Sequence, residues 1–353
     1  MNIATIGAQL KENQAALVVS EENRLYLTGF AASDGYLVIT GSGSLFITDG
    51  RYIEDARAQV EEAEVLLQTN VYSQLDSFLK QHGVEEVLIE ASRMTITAFN
   101  QYRKAMREYT FNVSSRLDQL IGACRQVKTP EEKAKLQRAQ DIASLSFQQL
   151  LPSIQPGALE RDIAAELEYL MRKNGASGAS FDTIVVSGVN SSKPHGVPGA
   201  KAIEAGDFVT IDFGAIYEGY HSDTTRTVAV GYATDEMKEV YELVRRAQQA
   251  GLDAIQADLT CKDYDGVARK VIADAGYGEY FSHSLGHGVG VEIHEEPFCG
   301  PRSGGILRPG NVISCEPGIY MEGKFGVRIE DTVIVTQTGH ENFCSLPKEL
   351  LIL

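Results

Sequence analysis

The run from Phe208 to Thr227, FVTIDFGAIYEGYHSDTTRT, leaves this chain the fewest ways to fold. Val209-Thr210-Ile211-Asp212-Phe213 has the β-branched and aromatic content of a strand. Tyr217-Glu218-Gly219 predicts a turn, and Tyr220 to Val230 the returning strand. Such a hairpin brings Asp212 and Asp223 together. With the turn centred on Tyr217 and Glu218 the two lie directly opposite, and a two-residue shift leaves them diagonal on the same face. In either register their Cβ atoms stand about 4.5–8 Å apart. Two carboxylates facing each other in an apolar hairpin repel, and burying them unpaired is strongly unfavourable. A cation is the natural partner, so the hairpin predicts a metal site.

Around this hairpin, 353 residues provide for roughly two domains and a sizeable core. A net charge of -16 disfavours nucleic acid and anionic membrane surfaces as general partners. No run approaches the ~18 apolar residues that span a bilayer, and the opening MNIATIGAQLKENQ lacks the layout of a signal peptide. The five cysteines, Cys124, Cys261, Cys299, Cys315 and Cys344, are scattered and show no zinc-type spacing. Reduced thiols and a cytoplasmic location are therefore expected.

Up to about residue 123, short apolar strands alternate with helical stretches. Residues 15–19, 36–40, 44–48 and 87–89 read as strands, and 54–62, 73–81 and 98–107 as helices. This predicts an α/β domain with a mixed sheet over 1–123. Gly41-Ser42-Gly43 precedes a strand rather than a helix, so it reads as a hairpin turn and not as a nucleotide fingerprint. The second domain, 124–353, opens at Thr129-Pro130-Glu131-Glu132, a capping-box start for a helix to about Leu151. Further helices are expected over 159–173, 235–254 and 262–275, with strands and Gly-rich loops elsewhere.

Three more stretches hold candidate ligands. His287 lies in HSLGHGVGVEIHEEP, where flanking glycines let the backbone come close to whatever the imidazole binds. Glu316 ends the apolar run Val312-Ile313-Ser314-Cys315 and is followed by Pro317-Gly318. Glu330 sits in Gly326 to Val333, a strand expected to pair with the residues after Gly318 through the turn Glu322-Gly323-Lys324. Each is polar where a strand's core face would be apolar, and local rules tend to break at functional sites.

The order Asp212, Asp223, His287, Glu316, Glu330, with HSLGHGVG, CEPGIY and VRIEDT around the last three, resembles the proline-specific metallopeptidases of the pita-bread fold, prolidase and aminopeptidase P. RLYLTGFAASDGYLVIT followed by TDGRY is similar to the creatinase-like N-terminal domain of that group. The resemblance implies an α/β creatinase-like domain with a mixed sheet, followed by an α+β pita-bread catalytic domain. It also implies two divalent ions, Mn²⁺, Co²⁺ or Zn²⁺ with Mn²⁺ favoured, suited to four carboxylates and one imidazole. Asp212 would chelate one ion, His287 and Glu316 the other, with Asp223 and Glu330 bridging. A hydroxide between the ions would attack the bond before proline.

Further roles follow from the same resemblance. Glu316 would shuttle the proton, His195 in SSKPHGVPG and His294 in EIHEEP would contact substrate, and Arg328 would orient the carboxylates. A homodimer and a proline-containing di- or oligopeptide substrate are implied. Methionine aminopeptidase-like activity or a non-catalytic peptide-binding role are the alternatives, the first disfavoured by the large N-terminal domain. His221, beside the hairpin, reads equally as solvent-facing or site-lining. His82, His283 and His340 read as surface or structural, and Cys315 as core.

Overall fold

Short runs rich in Val, Ile and Leu become strands in the first part of the chain and join in one sheet. The computed structural model describes residues 2–353 and divides into two compact units, the first ending at Arg125 and the second spanning Gln126–Leu353. In the first unit β1 (Gln14–Val18), β2 (Tyr36–Thr40), β3 (Ser44–Thr48), β4 (Glu64–Leu67), β5 (Glu86–Ile89) and β6 (Thr110–Asn112) lie in the order β4-β3-β2-β1-β5-β6. The β1–β2 and β2–β3 pairs are antiparallel; β3–β4, β1–β5 and β5–β6 are parallel, so the sheet is mixed as expected. Gly41 to Gly43 is the hairpin turn, with Thr40 N donating to Gly43 O at 2.9 Å.

Helices α1 (Asn2–Gly7), α2 (Glu21–Thr28), α3 (Ile53–Gln59), α4 (Val71–Gln81), α5 (Ile96–Ala105) and α6 (Arg116–Gln126) complete this part of the chain. The sequence pattern missed α1, α2, α6, β4 and β6. The two strands are short, at the sheet's edges and only partly buried, so they lack a continuous apolar run. In α2, the helix EENRLYLT buries Asn23 and Arg24 beside Tyr26 and Leu27, which blurs its apolar stripe.

In the second unit α7 (Pro130–Leu150) begins with the predicted capping box: Glu132 N donates to Thr129 Oγ1, and Thr129 N to Glu132 Oε2. Together α7 and α8 (Glu160–Lys173) cover a first sheet, β8 (Ile184–Ser187), β9 (Phe208–Phe213) and β12 (Thr224–Ala229), in the order β12-β9-β8. Phe147 of α7 stacks on Phe213 at 5.3 Å between ring centroids. A small side sheet joins β7 (Gly178–Ala179), β10 (Ala215–Tyr217) and β11 (Tyr220–His221).

The hairpin turns one residue later than Tyr217-Glu218. Glu218 and Gly219 take φ of 47° and 80°, the left-handed pair of a type I′ turn. Tyr217 then pairs with Tyr220, Phe213 with Thr224 and Asp212 with Thr225. Asp223 is therefore diagonal to Asp212, the shifted of the two registers considered. The pairing also breaks at Gly214 and at Ser222-Asp223, where Ser222 Oγ accepts from Ala215 N at 2.9 Å.

Helices α9 (Asp235–Ala254) and α10 (Cys261–Asp274) cover a second sheet. Its strands β13 (Gly286–Gly288), β14 (Glu295–Cys299), β15 (Val312–Cys315), β18 (Asp331–Val335) and β19 (His340–Asn342) run in the order β14-β13-β15-β18-β19. A separate pair joins β16 (Gly318–Tyr320) to β17 (Gly326–Arg328), with Gly318 opposite Arg328. The turn between them falls where expected, but the single strand expected from Gly326 to Val333 is split. Its extension breaks at Ile329-Glu330, where Glu330 N leaves the ladder to donate to Thr225 O at 3.1 Å. Cys315 is fully buried in the core under α9 and α10, as expected.

Candidate metal centre

Five residues on strands or at their ends and breaks converge in one cavity of about 680 Å³. Asp212 comes from β9, Asp223 from the hairpin break, His287 from β13, Glu316 from the residue after β15 and Glu330 from the break between β17 and β18. All five predicted ligand residues line this cavity, together with His195, His294 and Arg328. Phe181, Val197, Ile293 and Phe298 supply apolar wall, with Val197 exposed at the mouth.

The polar atoms are arranged as a cation would require. His287 Nδ1 lies 3.0 Å from Gly288 O, and since a carbonyl only accepts, Nδ1 carries the proton. In the neutral ring Nε2 is then an acceptor, yet it faces Asp223 Oδ2 and Glu316 Oε1, each at 3.4 Å. Burial, then His294 stacked edge-on at 4.3 Å, lower the His287 pKa to about 4, so the ring is neutral at pH 7. Ligand atoms of Asp223, His287 and Glu330 all lie within 4.8 Å of one another. Asp212 Oδ1 and Glu330 Oε1 are buried with no hydrogen-bond partner. Three acceptors around an acceptor, with two orphaned carboxylate oxygens beside them, fit divalent cations.

Electrostatics point the same way. Burial, followed by the neighbouring carboxylates, pushes Asp223 and Glu330 well above the ordinary range. Glu316 is raised to about 8, again mainly by burial, against a lowering pull from Arg328. These carboxyls resist ionising together without a cation.

Arg328 organises the rest. Its Nη2 donates to Asp212 Oδ2 at 2.6 Å, Nε to Thr225 Oγ1 at 3.0 Å and Nη1 to Tyr320 Oη at 2.8 Å. Thr225 in turn donates to Glu330 Oε2 at 2.7 Å, so one guanidinium orients two carboxylates. Ser314 Oγ accepts from His287 N and donates to Glu316 Oε1, both at 3.1 Å.

Sequence reasoning missed Thr225, Ser314, Tyr320 and His283. His283 was read as surface or structural, but it lines the cavity, its Nδ1 donating to Ser284 O at 2.8 Å and its Nε2 accepting from Tyr320 Oη at 2.9 Å. It stands four residues ahead of His287 in HSLGH, and nothing in the run Phe281-Ser282-His283-Ser284-Leu285 indicates which way its ring turns. His221 stands on β11, paired with Ile216 within the hairpin, and is not among the residues that line the cavity. His82 bonds Ser42 Oγ at 2.7 Å in the first unit, and His340 is half-buried on β19.

Comparison with known proteins adds to this geometry. Residues 134–337 match Metallopeptidase family M24, and residues 7–127 match the Creatinase/Prolidase N-terminal domain. The chain is 36% identical over 339 residues to the Xaa-Pro dipeptidase of Pyrococcus horikoshii, covering 96% of this chain and 94% of that one. Among solved structures, the Xaa-Pro dipeptidase from Bacillus anthracis superposes with a TM-score of 0.95 at 40% identity, covering 100% of this chain and 99% of that chain. The X-Pro aminopeptidase from Thermotoga maritima gives 0.93 at 36% identity, covering 99% and 100%. The likeness extends over both units, so the creatinase-like and pita-bread expectations hold.

Proposed function

The chain belongs to metallopeptidase family M24, and on that premise we propose that it hydrolyses the peptide bond between an N-terminal residue and proline. The observation that carries this reading is the convergence of Asp212, Asp223, His287, Glu316 and Glu330 on one buried cavity with uncompensated acceptor atoms. These residues would hold two divalent ions, with Mn²⁺ favoured by the oxygen-rich donors. When bound, such ions lower the pKa of water and polarise the scissile carbonyl.

The chain's own residues divide the remaining work. Glu316 takes a proton from the attacking water at its carboxylate and delivers it to the prolyl nitrogen as the bond breaks. His195 and His294, both exposed on loops that line the cavity, hydrogen-bond the substrate and the oxygen that gains charge. Arg328 keeps Asp212 and, through Thr225, Glu330 in their orientations. Phe181, Ile293 and Phe298 offer an apolar wall against which the substrate's carbon skeleton would pack.

A proline-containing di- or oligopeptide is the substrate, and relatives named for both dipeptidase and aminopeptidase activities share the fold. No described helix is long and apolar enough to cross a membrane, and all five cysteines are free, which supports a reducing cytoplasm. A homodimer belongs to the same reading, and light scattering checks it. The test of specificity is hydrolysis of Ala-Pro and Ala-Pro-Ala by metal-stripped protein resupplied with Mn²⁺, Co²⁺ or Zn²⁺. Release of alanine from either supports the proposal, the choice of substrate separating dipeptidase from aminopeptidase. Cleavage of Met-Ala-Ser with neither proline peptide cut would overturn it.

A further inference from the structure

Glu160, the first residue of α8, is completely buried, and among the described residues no cation touches it. Its oxygens are instead saturated by donors from one loop. Oε1 accepts from Ser187 N at 2.7 Å, Ser187 Oγ at 2.9 Å and Asn190 Nδ2 at 3.2 Å. Oε2 accepts from Gly199 N at 3.2 Å and Asn190 Nδ2 at 3.3 Å. Lys201 stands one hydroxyl away, its Nζ donating to Ser187 Oγ at 3.0 Å, but its charge is paired with Asp207 Oδ2 at 2.6 Å.

Ser187 and Gly199 bracket the segment that carries His195, and Pro194 to Pro198 from that segment form one wall of the cavity. Residues 188–199 hold only one short 3₁₀ stretch, Gly188–Ser192, so regular ladders do not fix the remainder. Between its ends it is tied by Ser191 Oγ, which accepts from Gly326 N at 2.9 Å, by Pro194 O, which accepts from Arg328 Nη1 at 3.2 Å, and by close packing of Gly196, where a Cβ would come within 2.6 Å of Val186 Cγ1. A buried carboxylate is an expensive way to fill space, and an apolar residue would pack α8 as well. An acceptor with two oxygens is needed only because donors arrive from both ends of the loop.

We propose that Glu160 is a positioning residue of the peptidase: it clasps both ends of segment 187–199 and thereby sets where His195 stands. The inference rests on the role given above to His195. Glutamine at 160 keeps the shape but must present an N–H₂ to one donor set, so it loosens the clasp, while Ser187 stays paired with Val209 and Gly199 O still accepts from Arg161 N at 3.1 Å.

The experiment uses metal-loaded full-length protein as E160Q, H195A and the double variant, with N190A as a milder release in case E160Q folds poorly. Turnover of the cleaved proline peptide, metal content and hydrogen exchange over 188–199 are measured on each. E160Q is expected to exchange faster within 188–199, retain its metal and lose roughly 10- to 100-fold in turnover, the scale of a small misplacement of a reacting group. N190A is expected to shift both readouts in the same direction by less. The loss should vanish when His195 is already alanine. Multiplying losses in the double variant, or unchanged exchange over 188–199, would overturn the inference. If H195A loses turnover while E160Q matches the parent, Glu160 alone is misassigned; if H195A matches the parent, the role of His195 falls and the catalytic clasp falls with it.

Discussion

Arg328 shows how far a single residue reaches in this site. Its fork serves Asp212, Thr225, Tyr320 and the carbonyl of Pro194 at once, a geometry that an ammonium cannot reproduce. Arg328→Lys is therefore expected to weaken metal binding about 10- to 100-fold, a scale typical of groups that orient ligands; metal titration of the stripped protein checks this, and parent-like affinity would count against the assignment.

Protonation of the stripped site gives a second residue-scale expectation. A carboxyl whose folded pKa is raised binds its proton more tightly when folded, so its stabilisation is present below the unfolded value of about 4.3 and drains as pH rises through the folded value. Asp223, Glu316 and Glu330 are all of this kind, Glu316 at about 8. His283 and His287, both lowered to about 4, act with opposite sign but only below their unfolded value of about 6.5. Between pH 6.5 and 8 the carboxyls prevail, and the melting temperature of metal-stripped protein should fall across that window. Added Mn²⁺ should abolish the fall by displacing the protons, and a flat profile without metal would contradict this.

At the scale of elements, the hairpin decides whether the ligands meet. Strand composition and a turn within Tyr217-Glu218-Gly219 were legible in the sequence, and so was the approach of two aspartates. The register was not, because choosing between turn centres one residue apart depends on φ at Glu218 and Gly219. Nor were the breaks at Asp223 and Glu330 legible, since both follow from tertiary hydrogen bonds such as Glu330 N to Thr225 O. Gly214 stands at the first break, and a Cβ there would come within 1.9 Å of Ser222 O and 2.8 Å of Ser180 Oγ. Gly214→Ala should force the hairpin open beside Asp223, reducing metal content and stability, the latter by about 1–3 kcal/mol as for overpacking elsewhere. Thermal melts and metal analysis on the same sample test it; an intact metal content would show that the break tolerates a side chain.

Across the whole molecule, two helix-covered sheets of the second unit bring their interrupted strands to one cavity, and no local pattern reveals that convergence. His283 illustrates the limit: it read as surface or structural, and only the fold brings it to Tyr320, whose hydroxyl also accepts from Arg328. The five candidate positions, by contrast, drew notice in the sequence, Asp212 and Asp223 as facing carboxylates in a hairpin and His287, Glu316 and Glu330 as polar residues where a core face would be apolar, and the family resemblance joined them into one set. The central claim is that these five residues make one site that both binds metal and cuts before proline. It is tested most directly by titrating stripped protein with Mn²⁺ while following alanine release from Ala-Pro and Ala-Pro-Ala, beside Asp223→Asn. Release that rises as two ions bind, with both binding and release lost in the variant, is the expected result. Release without metal, or undiminished metal binding and release in Asp223→Asn, would contradict the claim.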